Sequence, residues 1–335
     1  MRHAVLALIA LVTLAPPVLA QGTGSLTPIT NGWRWSRDGL SFDLLHRDAR
    51  WSAAEVDAVR QSMNRLPAVL LRKVASVDVR RFYRDVRPIG RDGRPRPTAS
   101  ATTVIEQGFI SYGDSLFGET PDVNRVYATV IHELGHATQY AVIGHGPLMS
   151  RIQAVTLGTP GWTSISWTSA ITYGMHSWNG FVSDYARTND REDFAESVEF
   201  YWLAPAELLR VNPRKYAYMR DVVFEGRVSP AASRKPDHKA IDPVRPEIER
   251  LGDRKDNALA LVKVHGQRFM GPLDGGFNTV RYRGTKALHL PISRTTIWSW
   301  VPAIKTGQAP VTVTTQDGTS APTAFEVTKP WWKFW

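Results

Sequence analysis

The chain has 335 residues, 43% of them hydrophobic, which suffices for a real core in one large domain or two modest ones and excludes a wholly disordered protein. It has no cysteine, which excludes disulfides, thiol catalysis and a lipid-attachment cysteine. The formal net charge of +10 favours anionic surfaces or acidic substrates, although the basic residues are spread along the chain more than clustered.

The opening stretch, MRHAVLALIALVTLAPPVLA, has a basic start, an apolar run from Ala4 to Ala15 and a small-residue end suited to signal peptidase. Residues 1–20 therefore read as a signal peptide cleaved after Ala20, which predicts a periplasmic or secreted protein. The apolar run is well short of the roughly 20 residues a membrane-spanning helix needs.

Next comes a short lead and then RWSAAEVDAVRQSMNRLPAVLLRKV, where Ser52 and Glu55 form a capping-box pattern ahead of apolar residues at helical spacing, interrupted at Pro67. ASVDVRRFYRD predicts a strand. The Arg-, Pro- and Gly-rich stretch within 80–97 predicts a solvated strand end and loop, and nucleic acid is not the expected partner of an exported chain. GFISYGDSLF, residues 108–117, predicts a strand at the edge of a sheet.

Thr120-Pro121-Asp122 predicts a helix start, and the helix that follows carries VIHELGHATQYA. Val123, Val126, Val130, Leu134 and Ala137 form one apolar stripe, with His132 and His136 turned nearly opposite to it. GWTSISWTSAITYGMHSWNGF predicts irregular structure around a cleft. REDFAESVEFYWLA predicts a helix with Phe194, Val198 and Trp202 on one side, and Glu192, Glu196 and Glu199 on another, stopped by Pro205. From residue 227 to 256 the composition is Pro-rich and charged, as in a linker or wrapping segment. Residues 257–335 alternate β-formers with turn signals and predict a small β-rich module ending in KPWWKFW, whose aromatic residues suit either an envelope or membrane-surface contact or packing onto the domain.

Two histidines at i and i+4 lie about 40° apart around a helix, so both rings can reach one ion, and Glu133 is placed to act on a water beside it. Gly135 inside the helix costs about 1 kcal/mol relative to Ala, which suggests close approach by backbone or ligand. A catalytic zinc requires a third protein ligand. Val142 occupies the position of a third histidine in the extended motif, His145 and His176 are fallback candidates, and an acid from a second helix is the stronger one, with Glu192 at its start.

DYARTNDREDFAES, residues 184–197, together with HELGH, resembles the active-site segments of the anthrax lethal factor catalytic domain and the bacterial Pro-Pro endopeptidases, which are zincin metallopeptidases. The resemblance, which extends loosely from Ser52 to Phe224, implies an α+β zincin-like domain, bounded here at residues 21–226, with an active-site helix, a small sheet with an edge strand, and a helical second half. It implies one catalytic Zn2+ held by His132, His136 and Glu192, with Glu133 as general base, Tyr185 as phenol donor to the oxyanion, and Glu196 as a carboxylate behind a ligating imidazole. The expected activity is that of an exported zinc metalloendopeptidase acting on a polypeptide bound extended along an edge strand. The alternatives are a catalytically silent envelope-binding protein on the same scaffold and a zinc amidase acting on peptidoglycan stem peptides. The resemblance covers neither the lead nor the β module.

Overall fold

The computed structural model describes residues 23–144, 157–229 and 243–329; the segment read as a signal peptide and the aromatic tail beyond Lys329 lie outside these residues. The chain is mixed α and β. Its first half builds a six-stranded sheet from β1 (Ser25–Ile29), β2 (Gly32–Arg37), β3 (Leu40–His46), β4 (Arg81–Arg84), β5 (Ala101–Val104) and β6 (Phe109–Tyr112), in the order β1-β2-β3-β4-β6-β5. The lead is thus part of the sheet, as an antiparallel β1-β2-β3 meander, whereas β4 pairs in parallel with both β3 and β6.

Between β3 and β4 run helices α1 (Ala53–Arg65) and α2 (Ala68–Ser76), the crossover that parallel strands require. Ser52 accepts from the Glu55 N–H while the Glu55 carboxylate accepts from the Ser52 N–H, the reciprocal cap that the sequence predicts. Pro67 breaks the helix as expected. Val59, Met63, Leu70, Leu71 and Val74 are fully buried beneath the sheet residues Phe42, Leu44 and Phe82.

The stretch at 108–117 departs from expectation. Its strand, β6, is interior, bonded to β4 on one side and β5 on the other, and all four of its residues are buried. The edge strand on this side of the sheet is β5, which begins seven residues before the expected stretch. Asp114–Phe117 is one helical turn, α3.

Helix α4 (Val123–Ile143) starts two residues later than the sequence suggests: Asp122 is the N-cap and accepts from the N–H groups of Asn124 and Arg125. Its apolar stripe docks on α1 and α2, with Val126, Val130, Leu134 and Ala137 at zero exposure. After the single turn α5 (Thr163–Ser166), helix α6 (Asp190–Leu203) packs along α4, followed by α7 (Pro205–Val211) and α8 (Pro213–Tyr218). No helix among the described residues is long and apolar enough to cross a membrane.

The carboxyl-terminal part is a separate hydrophobic cluster of small, mostly antiparallel sheets whose core includes Val262, Val264, Val280, Ile297, Val311 and Phe325. The segment read as a linker contributes to it: β7 (Glu247–Leu251) pairs with β9 (Leu261–Gln267), and β8 (Lys255–Asn257) pairs with the last strand. The irregular stretch at 161–181 holds this module instead of lining the cleft. Asp317 accepts from the backbone N–H of Trp178 and from Asn179 Nδ2, both at 2.9 Å, Trp178 Nε1 donates to the Phe269 carbonyl at 3.1 Å, and Arg294 bridges Asp274 and the Tyr173 carbonyl at 2.7 Å each.

Candidate metal centre

Helix α4 presents His132 and His136 one turn apart, their ring centroids 4.9 Å from each other. Helix α6 brings Glu192 to meet them. Asn189 caps that helix, accepting from the N–H groups of Arg191 and Glu192 at 3.0 and 3.1 Å, which fixes the first turn where Glu192 sits. The two helices approach closely because position 135 has no side chain: a Cβ on Gly135 would lie 2.9 Å from Ala195 Cα and 3.2 Å from its carbonyl oxygen.

Glu192 Oε2 lies 3.3 Å from His132 Nε2 and 3.3 Å from His136 Nε2. Ligands about 2.1 Å from one ion at tetrahedral angles are about 3.4 Å apart, so this spacing matches the edges of a tetrahedral zinc site. No hydrogen bond of good geometry reaches the buried Glu192 Oε2. Two imidazoles and a carboxylate, without a thiolate, suit a borderline cation such as zinc. The residues present therefore fit a metal ion, and these three side chains form one of two groups of potential ligands among the described residues.

The second group, His132 with Glu196 and Glu199, lies on the other ring nitrogen. His132 Nδ1 is 3.2 Å from Glu196 Oε1 and 3.7 Å from Glu199 Oε2, and both carboxylates are buried under the helix rather than open to the cleft. Glu196 is held in turn by Ser183, whose hydroxyl donates to its other oxygen at 2.6 Å. No hydrogen bond of good geometry reaches Glu196 Oε1 either, but its carboxylate stands within 3.2 Å of Nδ1, on the ring edge away from Nε2, where a small turn of the imidazole would orient it for ligation. The acidic face of α6 is accordingly no solvated face, and Glu199, readable from the sequence as only that, is 1% exposed.

The electrostatics agree with a cationic occupant. Burial opposes charge on His132, yet Glu192, Glu196 and Glu199 outweigh it and raise its pKa well above the usual imidazole value. Burial would likewise lift the Glu192 carboxyl, but His136 and His132 hold it well below the ordinary range. A proton on the ring or a metal cation meets the same demand of the surrounding carboxylates.

Glu133 stands on the cleft side, and Thr103 of the edge strand donates to its carboxylate and, at 3.0 Å, to its backbone carbonyl. The sequence offers no signal for Thr103, since its role depends on β5 lying against α4. Tyr185 is carried by the turn Tyr185–Arg187 ahead of α6, its ring centroid 5.9 Å from that of His132. Burial, and then the neighbouring Glu192 charge, push its phenol above the usual value, so it keeps its proton at neutral pH. All five of His132, Glu133, His136, Tyr185 and Glu192 line one cleft of about 490 Å³ that runs along β5 and under the Arg-rich loop. His176 lies elsewhere, exposed and against Gly275 of the β module. His145 falls outside the described residues.

No family model and no curated protein matches this chain. Solved structures match over about a quarter of its length: a gamma-CGTase from alkalophilic Bacillus clarkii at 28% identity and TM-score 0.23, covering 27% of this chain and 13% of that one, and the SGBP-B protein of a xyloglucan utilization locus in Bacteroides uniformis at 17% identity and TM-score 0.22, covering 27% and 25%. A fungal alcohol oxidase in complex with copper matches at 19% identity and TM-score 0.21, covering 28% and 22%. The chain spans no more than a quarter of these matched chains, and likeness at this level bears on neither the fold nor the chemistry of the cleft.

Proposed function

We propose that the protein is an exported zinc-dependent endopeptidase on a zincin-like scaffold. The observation that carries this reading is the placement of Glu192 Oε2 at 3.3 Å from both His132 and His136 Nε2, beside the carboxylate of Glu133 in the same cleft. His132, His136 and Glu192 would hold the ion. The chemistry it supplies when bound is Lewis-acid polarisation of a carbonyl and a lowered pKa for a coordinated water.

The protein's own groups provide the remainder. Glu133 takes the proton from the attacking water and passes it to the departing amine, with Thr103 fixing the orientation of its carboxylate. Tyr185 keeps its phenolic proton and donates it as a hydrogen bond to the oxygen on which negative charge develops. Strand β5 has one free edge, which gives an extended peptide main chain its hydrogen-bond partners. Glu196 and Ser183 keep His132 turned with Nε2 toward the cleft.

The test is purification of the mature chain, measurement of bound zinc, and assay of wild type against Glu133→Ala on a diverse peptide library. Cleavage that disappears in Glu133→Ala and on chelation supports the reading. Cleavage unchanged in that variant, or no zinc bound at His132, His136 and Glu192, refutes it.

A further inference from the structure

The arginines that the sequence places in a solvated loop border the cleft. Arg91 and Arg96 reach it from that loop, and Arg191 reaches it from the first turn of α6, next to the ligand Glu192. Two of these charges are already compensated: Arg91 Nε lies 3.6 Å from Glu106, and Arg96 Nη2 lies 2.9 Å from Asp92. Arg191 pairs with no carboxylate among the described residues, and its contacts are with phenols, Tyr173 at the long distance of 3.5 Å and Tyr140. Tyr140 is one helical turn beyond His136, so this guanidinium sits on the His136 side of the metal centre, at the end of β5 where Glu106 lies.

We propose that this end of the cleft is a carboxylate-binding subsite, with Arg191 as its principal cation and Arg91 beside it. This rests on the peptidase reading and names the substrate class: peptides carrying a carboxylate within reach of the metal, as an acidic side chain or a free carboxyl terminus. A half-buried planar guanidinium such as that of Arg191 makes paired, charge-assisted hydrogen bonds to either kind. Placement beside a ligand-bearing turn fixes the carboxylate relative to the bond to be cut, which makes Arg191 a specificity-determining residue.

The test uses the zinc-loaded mature chain and peptide pairs that differ only by Glu or Gln at each position around the cut, each made with a free and an amidated carboxyl terminus. A charge-assisted contact predicts kcat/KM at least about tenfold higher for one member of a pair. A Glu-over-Gln preference at one position identifies a side-chain carboxylate, and a free-over-amide preference identifies the terminus. In Arg191→Gln the ratio is expected to fall to within about twofold, with zinc content and circular dichroism unchanged. Equal kcat/KM across all wild-type pairs, or a ratio that survives in Arg191→Gln, overturns the subsite. If the Gln variant does not fold, Arg191→Lys, which keeps the charge without the planar fork, is expected to lose part of the ratio, and full retention overturns the proposal. Anisotropy of the same peptides, labelled at the amino terminus, on zinc-loaded Glu133→Gln separates this result from failure of the peptidase reading. A Kd ratio that collapses when Arg191→Gln is added upholds the subsite whether or not peptides are cut, and equal Kd values overturn it.

Discussion

Gly135 and Ala195 meet where α4 and α6 touch, and the contact leaves no room for a methyl group: a Cβ at 135 would lie 2.9 Å from Ala195 Cα. The neighbouring atoms are helix backbone, so relief requires moving α6 and Glu192 with it. Gly135→Ala gains about 1 kcal/mol of helix propensity, yet the clash outweighs it. The expected outcome is a net loss of about 1–2 kcal/mol in denaturant unfolding and at least about tenfold weaker zinc binding by chelator competition, of the order seen when a ligand's supports are disturbed. Unchanged zinc affinity would show that the helix spacing does not set the site.

In the proposed function Glu196 works through His132, whose Nδ1 lies 3.2 Å from its carboxylate. Glu196→Ala removes the acceptor for Nδ1 and strands the Ser183 hydroxyl, so zinc affinity is expected to fall about 10- to 100-fold. Ser183→Ala should show a smaller loss in the same titration, because Glu196 itself remains.

Thr103→Val removes the hydroxyl that holds the Glu133 carboxylate and nearly preserves volume. Zinc content should stay at the wild-type level while kcat falls by about tenfold, a fraction of the 10²- to 10⁴-fold associated with a general base. A change confined to KM would place Thr103 in peptide binding instead.

Behind the site, Lys215 Nζ donates to Asp193 at 2.6 Å with both side chains fully buried, and Trp167 Nε1 donates to the other oxygen at 3.0 Å. Removing one partner leaves a buried charge, so Lys215→Met is expected to cost about 3–5 kcal/mol in equilibrium unfolding. Lys215→Met with Asp193→Leu should recover much of that loss, and a double variant no better than the single one would refute the ion pair's role.

Just past β4, burial would lift the Asp85 carboxyl, but Arg47 and Ser111 hold it below the ordinary value. A lowered folded-state pKa contributes stability above the unfolded-state value of about 3.9 and loses it as pH falls through the folded-state value. The stability difference between wild type and Asp85→Asn should therefore be constant near neutrality and shrink below about pH 4, measured by urea unfolding across pH.

Much of the candidate metal centre was legible in the residues themselves. The i, i+4 spacing of His132 and His136 follows from helix periodicity, as does their opposition to the stripe of Val126, Val130 and Leu134, because both depend only on local geometry. The capping box at Ser52, the break at Pro67 and the glycine in HELGH are equally local signals with physical meanings that the structure gives: a cap, a helix end and a close helix contact. What tertiary structure alone decided is which residues from distant segments meet. Pairing order made β5 the free edge and placed 108–117 inside the sheet, because alternation in a short strand does not say how many neighbours it has. Packing of α6 on α4 turned an acidic helix face inward, where Glu196 and Glu199 surround His132, and laid an arginine-rich loop along the cleft. Charge pattern by itself reads Glu196 and Glu199 as solvated, since burial is a property of the neighbours and not of the residue.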